Sequence, residues 1–185
     1  MAIHKIGVEL EGMWRVDPQY LVANVSDACQ NLIDVAYDGS IHGRQPLYRF
    51  AREVKVGPFV YEAKRWQAAL REMWPDYVNA TCGLHVHLSF TSKEDYDKIA
   101  DNYQALWDLL KGNLGKFRAA RLKPRMEGKN HFCFPPVGRE RQQMSQSRYH
   151  AINFLSEEEN GTIEFRMLPA CSNSQKGIQL IDATA

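Results

Sequence analysis

Thr81-Cys82-Gly83-Leu84-His85-Val86-His87-Leu88-Ser89-Phe90 alternates with period two. Leu84, Val86, Leu88 and Phe90 are apolar; His85, His87 and Ser89 are polar. Such alternation marks a half-buried strand, with the apolar side chains on one face and the polar ones on the other. Both imidazoles then look out from the same face, with Cα atoms about 6.5–7 Å apart. Gly83, just before them, leaves room for another backbone or a ligand to approach. Two imidazoles on one strand face can hold a metal, contact phosphate or carry protons. The alternative is a pair of half-exposed histidines on a solvated face.

Two other stretches bear on that choice. Lys5-Ile6-Gly7-Val8-Glu9-Leu10-Glu11 sends Ile6, Val8 and Leu10 one way and Gly7, Glu9 and Glu11 the other. Thr162-Ile163-Glu164-Phe165-Arg166-Met167-Leu168 sends Ile163, Phe165 and Met167 to one side and Glu164 and Arg166 to the other. If the three strands share one sheet, its polar face displays glutamates, histidines and an arginine together. Crowded carboxylates resist ionising together unless a cation neutralises them. Oxygen-rich ligation favours magnesium or manganese.

A chain of 185 residues suits one domain spanning 1–185, long enough to bury a sizeable core. The formal net charge of +1 gives no global case for nucleic acid. Cys29, Cys82, Cys133 and Cys171 are scattered, without a closely spaced pair. That spacing fits reduced thiols in the cytoplasm better than a disulfide framework or a thiolate zinc site. Neither a signal peptide nor a transmembrane span is expected, and no membrane partner. No G-x-x-x-x-G-K-[ST] loop occurs, which argues against a P-loop nucleotide site.

Asp17-Pro18 opens a turn or helix after the first strand. A short helix ending near Asn31 and a strand from Val35 to Tyr37 are expected next, then an Asp38-Gly39-Ser40 turn and loop through Pro46. Tyr48 to Val56 reads as a strand carrying Glu53, ended by Gly57-Pro58. Phe59, Ala63, Trp66, Leu70, Met73 and Trp74 recur at helical spacing and predict a helix over 59–74, stopped by Pro75. Ser92 and Asp95 form a candidate capping box for a helix carrying Tyr96, Ile99, Tyr103, Leu106, Trp107 and Leu110 and ending near Gly112. A second helical piece spans Leu114 to Leu122. Arg118, Arg121, Lys123 and Arg125 form a basic cluster, followed by Arg139, Arg141 and Arg148. The span from Lys123 to Ser147 reads as a long loop, and such loops are usually functional or mobile. Its arginines serve either surface pairing or a lid that brings positive charge to phosphates. Tyr149–Leu155 and Thr162–Leu168 predict a hairpin, and a final helix begins within Ser172–Ala185.

Taken in order, Gly7-Val8-Glu9-Leu10-Glu11, Asp38-Gly39-Ser40, Cys82-Gly83-Leu84-His85-Val86-His87, Arg148-Tyr149-His150-Ala151-Ile152-Asn153 and Thr162-Ile163-Glu164-Phe165-Arg166 resemble the amidoligase family. This is a branch of the carboxylate–amine ligases built like glutamine synthetase and glutamate–cysteine ligase. The resemblance runs from Ile6 to about Asp182, beyond which relatives carry further C-terminal helix. It implies an α+β fold: a curved, mainly antiparallel sheet with helices packed on one face, like the glutamine synthetase catalytic domain. It implies that ATP phosphorylates a carboxylate substrate and that an amine substrate displaces phosphate to leave an amide. Glu9, Glu11 and Glu164 would then bind magnesium or manganese, with Glu53 a further ligand. His85 would contact ATP phosphate or metal, and Arg166 would bind phosphate. Arg148 falls where glutamine synthetase has an arginine contacting ATP or substrate. His87 and Asp38 are further candidates at the nucleotide and metal. The acid and the amine are not identified; amino acids, peptides, cell-wall fragments and protein side chains fit equally.

Two other classes stand beside the ligase. One is a metal-dependent hydrolase using His85, His87 and the glutamates with zinc or manganese; the other is a non-catalytic binding protein of the same fold. Nucleotide dependence separates the ligase from the hydrolase. For Arg166 the plain alternative is a salt bridge to a neighbouring glutamate.

Overall fold

The computed structural model describes residues 3–42, 47–117, 122–129, 131, 133–136, 147–157 and 161–185. Over these residues the chain is α+β. Its strands are β1 (Ile3–Trp14), β2 (Ile33–Tyr37), β3 (Phe50–Val60), β4 (Gly83–Phe90), β5 (Ile152–Asn153) and β6 (Ile163–Pro169). They form one sheet in the order β2-β3-β1-β4-β6-β5, with every neighbouring pair antiparallel. The expected Glu-x-Glu, His-x-His and Glu-Phe-Arg strands are therefore adjacent at its centre: β1, β4 and β6.

The apolar parity of each strand builds the core. Ile6, Val8 and Leu10 of β1, Val54 and Val56 of β3, Leu84, Val86 and Leu88 of β4, and Ile163 and Phe165 of β6 are buried in one cluster. Helices complete it from the other side. These are α3 (Arg65–Met73) with Trp66, Leu70 and Met73, α4 (Lys93–Asp101) with Tyr96 and Ile99, α5 (Tyr103–Leu114) with Trp107 and Leu110, and α7 (Ser174–Asp182) with Ile178 and Ile181. Each large side chain so buried contributes about 1.5–3 kcal/mol. Short helices α1 (Pro18–Leu21), α2 (Asp27–Gln30) and α6 (Leu122–Met126) fill the connections. Among the described residues a second, small apolar cluster is formed by Met13, Ile41, Cys82 and Ala170. Among the described residues, no helix is long and apolar enough to cross a membrane.

Several expected boundaries shift, each for a local reason. Gly57-Pro58 does not end β3, which continues to Val60. Ile6 pairs with Phe59 and Val8 with Val56, so β3 carries one extra residue at this point. Gly57 takes φ +125°, and a Cβ there would stand 2.8 Å from the Ile6 carbonyl oxygen and 2.9 Å from the Gly7 Cα. A glycine bulge thus absorbs the proline without breaking the ladder. Phe59 is consequently a strand residue, and α3 starts only at Arg65. The expected helix from Ser92 is two, α4 and α5, parted at Asn102. There the side-chain amide donates to the Lys98 carbonyl at 2.7 Å, competing with the helical ladder. Ser92 does cap α4, accepting from the Asp95 N–H at 3.1 Å, but Asp95 accepts from the Thr91 hydroxyl instead of completing a capping box. The Leu114–Leu122 piece is divided: Leu114 ends α5, Leu122 begins α6, and 118–121 lie outside the described residues.

Leu70 is fully buried in α3, whereas Leu109 of α5 is 60% exposed. Leu70→Ala should cost about 2–5 kcal/mol of unfolding free energy in a urea titration. Leu109→Ala should stay within about 0.5 kcal/mol of the parent.

Candidate active site

The polar face is organised in rows that cross the strands. In one row Lys55 of β3 stands opposite Glu9 of β1, which stands opposite His85 of β4. In a second, Glu53 faces Glu11. In a third, Gly7, His87, Glu164 and Asn153 follow one another across β1, β4, β6 and β5. Directly opposed residues have Cβ atoms about 4.5–5.5 Å apart, so each row is a line of side chains in contact.

The rows line a cleft of about 600 Å³. All eight residues expected at the site border it: Glu9, Glu11, Glu53, His85, His87, Arg148, Glu164 and Arg166. Asp38 borders it as well, on a turn closed by its own carboxylate, which accepts from the Ser40 N–H at 2.8 Å. Arg139, Arg141, Arg118 and Arg121 lie outside the described residues. Arg148 sits on the exposed rim, its guanidinium 5.5 Å from the Tyr149 ring centre.

His85 is at the centre. Its Nδ1 is 3.0 Å from Glu9 and 3.4 Å from Glu164, and its Nε2 is 3.6 Å from Glu11. Gly83 makes this possible. A Cβ on residue 83 would lie 2.6 Å from His85 Nε2 and 3.1 Å from Glu11 Oε2. The space that glycine leaves is filled by these two side chains, and its N–H donates to Glu11 Oε2 at 2.5 Å. Glu164 is fixed from both sides: Asn153 Nδ2 donates to Oε2 at 2.6 Å and Arg166 Nη1 to Oε1. The salt bridge expected as the plain alternative for Arg166 is therefore present, within its own strand. The Nε of Arg166 is nevertheless buried without a partner.

The carboxyl groups are not equivalent. Burial disfavours the charge of Glu9, but the hydrogen bond with His85 and the His87 imidazole close beside it outweigh burial and hold this carboxyl well below the ordinary range. Burial and the charge of Glu9 push Glu53 upward, against the opposing charge of Lys55. Lys55 lies 3.6 Å from Glu9 and 3.3 Å from Glu53. Burial works against its charge, but these two carboxylates outweigh it and push its pKa up.

Two sets of donors converge closely enough to share an ion. Glu9, His87 and Glu164 form one, and Glu11, Asp38 and Glu53 the other; in each, one ligand atom per residue lies within 4.8 Å of the rest. Neighbouring and opposite ligands of an octahedral ion with bonds of about 2.1 Å are about 3.0 and 4.2 Å apart. His87 Nε2 is 3.3 Å from Glu9 and 3.9 Å from Glu164, and is buried without a hydrogen-bond partner. An unpartnered nitrogen at ligand distance from two carboxylates is the feature that best fits a cation. It belongs to His87, the lesser of the two histidines on the family resemblance. His85 is instead enclosed by carboxylates.

Three further residues of the cleft lie outside the expected set: Lys55, Asn153 and Arg125. Lys55 shares strand parity with Glu53, and that signal was present in the sequence. Asn153 lies in the Arg148–Asn153 motif and finds its role only through the β5–β6 pairing. Arg125 has no such signal: it is buried in α6, not part of an exposed basic cluster. No protein-family model, curated protein or solved structure matches the chain.

Gly83→Ala should push His85 and Glu11 from these positions. Overpacking of this kind costs about 1–3 kcal/mol in chemical denaturation. The His85 ring signals in a histidine-selective NMR spectrum should move with it, while the exposed His4 and His42 stay in place.

Proposed function

We propose that this protein is an ATP- and magnesium-dependent carboxylate–amine ligase, with manganese a competent substitute and a sheet of the glutamine synthetase catalytic-domain type. The observation that carries the reading is the convergence of two carboxylate-rich donor sets with Arg148 and Arg166 in one cleft. Carboxylates alone repel a polyphosphate, and arginines alone bind one without activating it. The two together suit a substrate that arrives as a metal–phosphate complex.

The reaction that suits this cleft has two displacements. An oxygen of the acid substrate attacks the terminal phosphorus of ATP, and the bond from that phosphorus to the ADP oxygen breaks. The amine then attacks the acyl carbon, the carbon–oxygen bond breaks, phosphate leaves, and the amine gives up its proton. Bound magnesium supplies neutralisation of the phosphate oxygens. Glu9, His87 and Glu164 would hold one ion, and Glu11, Asp38 and Glu53 a second. Asn153 and Arg166 keep Glu164 oriented toward that task. His85 holds Glu9 and Glu11 in place and would contact the phosphate or a metal. Arg166, with Arg148 on the rim, meets the negative charge that develops on the phosphoryl group. A second cavity of about 430 Å³ shares Glu9, Lys55 and His87 with the cleft, and Pro58 and Phe90 are among its walls. It offers the nucleobase a less polar space.

Calorimetry should show ATP binding that requires magnesium; tight binding of metal-free ATP counts against the reading. Glu164→Gln keeps the shape but removes the charge, and should weaken metal binding and, through it, ATP affinity. Arg166→Lys keeps the charge but loses the planar fork, and should slow turnover by roughly 2–4 kcal/mol in barrier height. Both effects are measured by metal titration and by ADP formation with candidate acids and amines. Metal binding with no response to nucleotide favours a hydrolase, and two variants indistinguishable from the parent favour a non-catalytic protein.

A further inference from the structure

Arg125 differs from every other cation in the cleft. It projects from α6 and is only 4% exposed. Its Nη1 donates to the Arg166 carbonyl at 3.1 Å and its Nη2 to the Cys82 carbonyl at 3.0 Å. The Arg166 acceptor lies where the β4–β6 ladder is irregular, and the Cys82 acceptor directly precedes β4. Leu84 pairs with Leu168 and Val86 with Phe165, so Arg166 and Met167 together stand opposite His85. The Arg125 guanidinium thus ties the bulged part of β6 to the residue that leads into β4.

Two neutral carbonyls explain a donor at this position but not a full charge. A guanidinium has five N–H donors, and these bonds use two of them. Among the described residues no carboxylate lies within 4 Å of Arg125. A buried cation without a counter-charge is costly. Burial lowers the tendency of Arg125 to hold its proton; the charge of Glu11 supports the cation and that of Arg166 opposes it. Arg166 is itself 8% exposed, with its Nε unpartnered. Two buried guanidinium groups thus border one cleft; among the described residues Arg125 donates only these two hydrogen bonds, and Arg166 Nε has no partner.

We propose that Arg125 and Arg166 together form an oxyanion-binding site at the Glu11 end of the cleft, receiving a carboxylate or phosphoryl group. The anion supplies the counter-charge that no described residue places within 4 Å of Arg125. The site rests on the ligase reading only for the source of that anion, which is either the carboxylate of the acid substrate or the phosphoryl group of the nucleotide. Because the same guanidinium holds the Arg166 backbone, an anion bound here also sits at a fixed distance from the residue assigned to the phosphoryl group.

Orthophosphate and acetate are titrated separately, without nucleotide, into the parent, Arg125→Met and Arg125→Lys proteins and followed by calorimetry. The parent should bind at least one of them. Arg125→Met should weaken that binding by roughly tenfold or more, as expected for hydrogen bonds to a charged group. Arg125→Lys, which keeps the charge but not the fork, should weaken it by about threefold or more. A loss confined to orthophosphate assigns the site to the phosphoryl group, and one confined to acetate assigns it to the acid substrate. Should Arg125→Met fail to fold, the lysine variant decides. Equal affinity in parent and folded variants, or a parent that binds neither anion, overturns the proposal. Absence of ADP formation with every acid and amine tried counts against the ligase reading alone, since this titration contains no nucleotide.

Discussion

Like charge held at short range is the constraint on which the rest of this structure depends. Glu9, Glu11, Glu53 and Glu164 share a cleft with Asp38, and the sheet leaves them no freedom to separate. At about 4 Å, two unit charges near a protein surface interact by roughly 4 kcal/mol, so the cluster must be compensated from close by. Lys55 and Arg166 supply charge compensation in the protein itself, and the His85 and His87 imidazoles lie against the same carboxylates. They do so unevenly, which is why Glu9 and Glu53 are pushed in opposite directions. Proteins whose environments drive neighbouring carboxyls apart in this way usually do so at a functional site.

The repulsion is sustained by the apolar side of the same strands. Every glutamate or histidine of the cleft is one residue away from a core position: Val8 and Leu10 flank Glu9, Leu84 and Val86 flank His85, and Ile163 and Phe165 flank Glu164. A one-residue slip in register would turn the core out and the charges in. The burial of Leu84, Val86, Ile163 and Phe165 therefore fixes where the charges sit. The two bulges refine this frame. The one at Gly57 lets β3 pass a proline and continue beside β1. The one at Arg166 leaves its carbonyl to Arg125 and puts Met167 and Leu168, neighbours in sequence, into the same core.

Much of this was legible because strand alternation is a local signal. The parities of Glu9, Glu11, His85, His87, Glu164 and Arg166 could each be read within seven residues, and β1, β4 and β6 needed only to be adjacent for a common site to follow. The helix start at Asp17-Pro18 and the Ser92 cap were legible for the same reason. What could not be read depends on partners distant in sequence. The role of Gly83 emerges only when Glu11, from another strand, occupies the space beside it. Asn153 gains its meaning from the two-residue strand β5, too short to show a period. Arg125 looked like one cation of a basic run, and only tertiary contact with the Cys82 and Arg166 carbonyls takes it inside. Gly57-Pro58 misled because proline is a reliable stop signal only where no bulge accommodates it.

Anomalous scattering from crystals soaked with manganese and a non-hydrolysable ATP analogue tests the central claim most directly. Manganese is expected between Glu9, His87 and Glu164 and between Glu11, Asp38 and Glu53, with the phosphates of the analogue against the ions and the Arg166 side of the cleft. A cleft free of manganese at saturating concentration, or an analogue bound elsewhere on the protein, would contradict it.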